Sequence, residues 1–87
     1  MRVTVEKTLL KDIDNLPQPV KRKLERIVQV IERSSTLGEI PGVKKLDTPG
    51  SYFRIRVGNY RLGFELVGDA CRLMRCLNRR DIYRRFP

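Results

Sequence analysis

Tyr52-Phe53-Arg54-Ile55-Arg56-Val57-Gly58-Asn59-Tyr60-Arg61-Leu62-Gly63-Phe64 alternates apolar and polar side chains on both sides of a Gly-Asn pair. Alternation with period two marks a half-buried strand, and a two-residue Gly-Asn link between such runs predicts a tight hairpin. The turn fixes the register. With Gly58 and Asn59 as turn residues, Val57 opposes Tyr60, Arg56 opposes Arg61, Ile55 opposes Leu62, Arg54 opposes Gly63 and Phe53 opposes Phe64. Successive side chains leave a strand on opposite faces. One face therefore carries Phe53, Ile55, Val57, Leu62, Phe64 and Leu66, and the other Tyr52, Arg54, Arg56, Arg61 and Glu65.

The second face is unusual. Arginine directly across from arginine costs a few tenths of a kcal/mol or more, and an ordinary solvated face interleaves both signs of charge. Here Glu65 alone breaks the positive run. Stability does not select such a face, whereas an anionic ligand does. Gly63, opposite Arg54, either leaves room for a ligand backbone to approach the sheet or marks a bulge.

A third strand is expected over residues 71–77, after a Gly68-Asp69 turn. That turn sets Leu73 beside Phe64 on the apolar face and Arg72 beside Glu65 on the other, as an ion pair. Continued alternation sends Met74, Cys76, Asn78 and Arg80 toward the arginine face and Arg75 toward the apolar one. The last placement is wrong for a buried position, so either a bulge intervenes or Arg75 reaches a sheet end. Cys71 and Cys76 are five apart, an odd offset that puts them on opposite faces and argues against a disulfide.

Upstream, Arg2-Val3-Thr4-Val5-Glu6 alternates like a strand. Leu9, Leu10, Ile13 and Leu16 recur at helical spacing, which predicts a first helix over 8–15, and Pro17 ends it. Pro19 can open the next helix, over 19–34, where Val20, Leu24, Ile27, Val28 and Ile31 form one stripe that needs a sheet to cover. Residues 35–50, rich in Gly and Pro, read as a connector interrupted by Val43-Lys44-Lys45-Leu46. The expected fold is α+β: an N-terminal strand, a helical hairpin, then a three-stranded antiparallel sheet over 52–57, 60–67 and 71–77.

The chain of 87 residues is one domain with a small core. It has no apolar run of about 18 residues, and residues 1–15 lack the apolar stretch of a signal peptide. A cytoplasmic location with no membrane partner is expected. With no histidine, the usual zinc patterns and the commonest general acid/base are both missing, so no metal or other cofactor is expected. The 19 Lys+Arg against 10 Asp+Glu, a net charge of +9, favour a polyanion, nucleic acid first. The tail Asn78-Arg79-Arg80-Asp81-Ile82-Tyr83-Arg84-Arg85-Phe86-Pro87 interleaves arginine with aromatics, as proteins that hold unpaired nucleic acid do. Ile82 and Phe86 are expected to pin this tail to the core, leaving Tyr83 free for chemistry.

These residues carry a family resemblance. The hairpin Tyr52-Phe53-Arg54-Ile55-Arg56-Val57-Gly58-Asn59-Tyr60-Arg61-Leu62 and the run Arg79-Arg80-Asp81-Ile82-Tyr83 resemble the RelE/ParE superfamily of bacterial and archaeal toxins. The likeness spans essentially the whole chain. In its RelE branch it implies a microbial RNase-like fold that enters the ribosomal A site and cuts mRNA; the expected chemistry is metal-independent cleavage that leaves a 2′,3′-cyclic phosphate. Matched by motif, Arg61, Arg80 and Tyr83 are the catalytic candidates, and Arg54 and Arg56 hold RNA, joined by Arg79 of the tail. The best-known members have lysines where this chain has Arg54 and Arg56. Arginine cannot lose its proton, so these two suit holding phosphate better than acting as a base. The resemblance further implies a cognate antitoxin, disordered until bound, with operator DNA contacted only through the antitoxin complex. The ParE branch, which poisons DNA gyrase and cuts no RNA, is the alternative, followed by a basic nucleic-acid-binding module without activity.

Overall fold

The computed structural model describes residues 1–87. In chain order it has β1 (Arg2–Val5), α1 (Lys7–Asp14), α2 (Gln18–Arg33), a 3₁₀ turn (Leu37–Glu39), β2 (Val43–Lys45), β3 (Tyr52–Val57), β4 (Tyr60–Val67), β5 (Ala70–Asn78) and α3 (Asp81–Arg85). The sheet has five strands, ordered β1-β5-β4-β3-β2. Three were expected. The additional two are β1, which pairs with β5 in parallel, and the short β2, which adds to β3 inside the presumed connector.

The central hairpin has the register that the Gly-Asn turn dictates, from Phe53↔Phe64 to Val57↔Tyr60. Gly58 takes a φ of +61°, the left-handed region that the first turn position requires. The expected pairs Phe64↔Leu73 and Glu65↔Arg72 also form. One face of the sheet meets α1 and α2, where Leu9, Leu24 and Ile31 pack with Ile55, Leu62, Phe64 and Leu73. Leu10, placed on the apolar stripe of α1 by its spacing, instead lies 56% exposed. No helix is long and apolar enough to cross a membrane.

The register shifts between Gly63 and Phe64, where Leu73 pairs with Phe64 but Arg75 pairs with Gly63. The extra residue, Met74, is a bulge that reverses the alternation of β5. Cys76 therefore lies in the helix-side core rather than on the arginine face, and it shares that core with Cys71. Both thiols are free. Burial and nearby Asp12 push Cys76 up to about 12.

Arg75 turns to the sheet edge. Its Nε and Nη2 donate to the two carboxylate oxygens of Asp12 at 2.8 and 3.0 Å. The same carboxylate accepts the Cys76 N–H at 3.0 Å, and Thr8 Oγ1 donates to the Met74 carbonyl at 2.8 Å. Where β1 stops, α1 thus takes over as the cover of β5, its side chains satisfying backbone groups that would otherwise stand open.

On the opposite face of the sheet, α3 folds back and buries Ile82 and Phe86 with Leu77. The tail is pinned as expected. The ring of Phe86 occupies the space above Gly63, where a Cβ would fall 2.7 Å from it. That space is therefore filled by the chain itself, and the glycine also flanks the bulge; it leaves no opening for a ligand backbone.

Candidate nucleic-acid interface

Three strands and the tail helix each contribute to one surface. The alternation of β3 and β4 sends Arg54, Arg56 and Arg61 away from α1 and α2, with Arg56 directly opposite Arg61. Strand β2 aligns Lys44 with Arg54, adding a fourth cation. From above, α3 supplies Tyr83, which is 67% exposed although its neighbour Ile82 is buried. The guanidinium carbon of Arg54 lies 4.6 Å from the centroid of the Tyr83 ring, a cation–π contact that joins tail to strand. Lys44, Arg54, Arg56, Arg61 and Tyr83, with Gly42 at the rim, enclose a hollow of about 310 Å³.

The hollow contains four cations and no carboxylate. Elsewhere on the sheet each strand arginine is paired: Arg2 with Asp69, Arg72 with Glu6 and Glu65, Arg75 with Asp12. None of the four cations in the hollow has an acidic partner. Arg61 is held in place by donating Nη1 to the carbonyls of Gly58 at 3.0 Å and Tyr60 at 2.8 Å. Burial first, then the positive charge of Arg56, lowers the pKa of Arg61 from its ordinary value, with smaller contributions from Arg54 and Arg79, while Tyr83 opposes them. An anion entering the hollow relieves this crowding.

Arg79 and Arg80 lie elsewhere. They line a separate hollow beside the hairpin turn, with Asn59 and Asn78. The Arg79 N–H donates to the Asn59 carbonyl, and the Arg80 N–H to Asn78 Oδ1. Of the six residues singled out from sequence, Arg54, Arg56, Arg61 and Tyr83 converge, whereas Arg79 and Arg80 line the neighbouring hollow, Arg79 still within electrostatic reach of Arg61. Lys44 was not foreseen, because a strand of three residues is too short to display a period. No group of three or more His, Cys, Asp or Glu side chains gathers into a ligand set for a metal. Chemically, the arrangement can hold phosphate and stabilise added negative charge.

No family model matches the chain. Among curated proteins it is 36% identical to "Toxin RelE3" of Methanocaldococcus jannaschii, with the whole of both chains covered. "Putative toxin RelE1" of the same organism is 24% identical over 91% of this chain and 89% of its own. Among solved structures, the chain resembles one from the RelB-RelE antitoxin-toxin complex of Methanococcus jannaschii, at a TM-score of 0.83 and 34% identity, covering 97% of this chain and 99% of that one. A chain of the RelE-RelB complex from Pyrococcus horikoshii shares the fold at a TM-score of 0.73 and 23% identity, covering 90% and 93% respectively.

Proposed function

The chain belongs to the RelE family of toxins, and on that footing we propose that it is a ribosome-dependent endoribonuclease that cuts mRNA in the A site. The observation that carries this reading is the cationic hollow, in which Lys44, Arg54, Arg56 and Arg61 meet Tyr83 without a carboxylate. In the reaction, the RNA 2′-oxygen attacks the adjacent phosphorus, the bond to the 5′-oxygen breaks, and the products are a 2′,3′-cyclic phosphate and a 5′-hydroxyl. Arg61, already fixed by two carbonyls, stabilises the charge of the phosphorane, a role worth about 2.7–4 kcal/mol per donor. Arg54, Arg56 and Lys44 hold the flanking backbone. Arg80 is the second candidate donor, from the neighbouring hollow.

Tyr83 stacks on a base or exchanges a proton with the leaving group. Guanidinium groups do not serve as bases, the hollow offers no carboxylate in their place, and its one lysine, Lys44, is exposed and engaged with the RNA backbone. The site thus relies on the ribosome to place the 2′-hydroxyl in line, since positioning alone can supply a large part of a barrier. This chemistry belongs to the cytoplasm, where ribosomes are. The partner that silences it is a cognate antitoxin, a reading supported by the antitoxin-toxin complex in which the similar chain from Methanococcus jannaschii was solved. An acidic binding segment complements the net charge of +9. Through that antitoxin the pair reaches operator DNA.

The test is mRNA cutting on translating ribosomes by the Arg61→Ala and Tyr83→Ala variants. Loss of one fixed donor is expected to slow cutting roughly 10²–10³-fold. Undiminished cutting by both variants removes the mechanism. Growth arrest with DNA-damage signalling and intact mRNA would instead point to gyrase.

A further inference from the structure

Arg54 and Tyr83 line two hollows at once. On one side of this pair lies the cationic hollow; on the other lies a larger one of about 490 Å³. The larger hollow has apolar walls from Leu46, Ile82 and Phe86, and it also has Asp47 and Thr48 from the loop between β2 and β3. The two spaces differ as the two ends of a nucleotide differ. The first is walled by cations and Tyr83, with Gly42; the second sets apolar walls beside about as many polar side chains, a mixed lining that suits an aromatic base with a polar edge. A nucleotide with its phosphate in the first places its base within reach of the second, across the Arg54–Tyr83 wall.

Asp47 is the informative residue. It borders a hollow that also contains Lys45 and Arg54, yet it forms no ion pair with either. The Lys45 ammonium donates instead to the Gly50 carbonyl at 3.1 Å. A carboxylate beside a phosphate-binding surface repels the backbone of RNA, so its use must lie with another part of the substrate. An ionised carboxylate only accepts hydrogen bonds. Guanine presents N1–H and N2–H₂ side by side, two donors matched to two carboxylate oxygens, whereas uracil flanks its single N–H with two carbonyls that a carboxylate repels.

We propose that the hollow between the β2–β3 loop and α3 seats one base of the RNA substrate, with Asp47 reading its Watson–Crick edge in favour of guanine. The exposed Tyr83 ring offers that base a stacking surface. The proposal rests on the ribonuclease reading above, and it adds a specificity-determining residue to it.

Two measurements test the proposal separately from the reading beneath it. On ribosomes translating mRNA with randomised codons, mapped 5′ ends give the ratio of guanine to uracil at the most biased position, a ratio from which overall rate drops out. The wild type is expected to favour guanine by on the order of tenfold, the discrimination of one bidentate contact, and Asp47→Asn to bring the ratio to within about twofold. An unchanged ratio in Asp47→Asn overturns the proposal. Binding of 3′-GMP and 3′-UMP, read from the backbone amide signals of residues 47 and 48, needs no ribosome. Selective saturation by 3′-GMP supports the base seat even if the protein cuts no mRNA, an outcome that would defeat the ribonuclease reading alone. Equal or absent shifts with the two nucleotides overturn the seat.

Discussion

Replacing Gly63 by alanine adds one methyl group where the ring of Phe86 already sits. The new Cβ would lie 2.7 Å from Cδ2 and Cε2 of that ring and 2.9 Å from Cγ, well inside the contact distance of about 3.5–4.0 Å between carbons. A ring cannot yield as a flexible chain end does, so Phe86 must leave its seat. The strand backbone at residue 63 accepts alanine, and the whole cost therefore falls on the tail. Overpacking of this kind typically costs 1–3 kcal/mol, below the roughly 3–5 kcal/mol of deleting a buried phenylalanine outright. A loss of about 2 kcal/mol is expected, which lowers the melting temperature by roughly 8–16 °C in a chain of this size. The assay is a double-mutant cycle by urea unfolding with Gly63→Ala, Phe86→Ala and both together. Once the ring is gone the three nearest atoms go with it, and alanine in a strand is favoured over glycine by roughly 0.5–1 kcal/mol. The double variant should then be no less stable than Phe86→Ala, a coupling of about 2 kcal/mol or more. Additive losses would refute the reasoning.

The cover of β5 predicts that Asp12→Ala costs about 3 kcal/mol in urea unfolding, because it strands the half-buried Arg75 and the Cys76 N–H together. Asp69→Ala, which breaks an exposed pair with Arg2, should cost under about 0.5 kcal/mol; comparable losses would show that the carboxylate of Asp12 has no special part. Alkaline stability should report Cys76. Its folded pKa of about 12 lies above that of a free thiol, so the unfolded chain gives up its proton first. Stability is then whole below about pH 8.5 and falls by up to about 1.4 kcal/mol per unit until about pH 12. Cys76→Ala should flatten that decline between the two values, and an unchanged slope would exclude the thiol as its source. Finally, Arg56→Ala removes the like charge facing Arg61. Its melting temperature should rise by a degree or more, from a few tenths of a kcal/mol, while mRNA cutting falls; a lower melting temperature would show that Arg56 supports the fold.

The hairpin was legible because two local signals agree on it: alternation chooses the faces of β3 and β4, and the Gly-Asn turn chooses which residues meet. That agreement carried as far as Phe64↔Leu73 and Glu65↔Arg72. It stopped at the bulge. Arg75 announced trouble by falling on the apolar face, but nothing nearby in the chain shows that Asp12, on a helix more than sixty residues earlier, would receive it. Cys76 was misplaced by the same slip. The parallel pairing of β1 with β5 joins opposite ends of the chain, and β2 is three residues long, so neither leaves a local pattern. Lys44 was hidden with β2. Gly63 was read as an opening for a ligand or as a bulge; it flanks the bulge, and the opening is closed by Phe86 of the distant tail. Arg80 and Tyr83 are near neighbours in sequence, but Arg80 precedes the first turn of α3 whereas Tyr83 lies within it.

The interior is divided unequally between the two sides of the sheet. Twelve buried residues hold the helix side together, whereas on the side of α3 only Leu77, Ile82 and Phe86 are buried, with Leu46, Tyr52 and Met74 packed half-buried against them. The tail can therefore detach while the five strands stay paired, and the free energy of that local opening is less than that of global unfolding. Amide protons of residues 82–86 should exchange with solvent well before those of β4. Because Tyr83 travels with the tail and Arg54 stays with the strands, opening of this smaller cluster parts the two. On the proposed function, such an opening would disarm the chain without denaturing it.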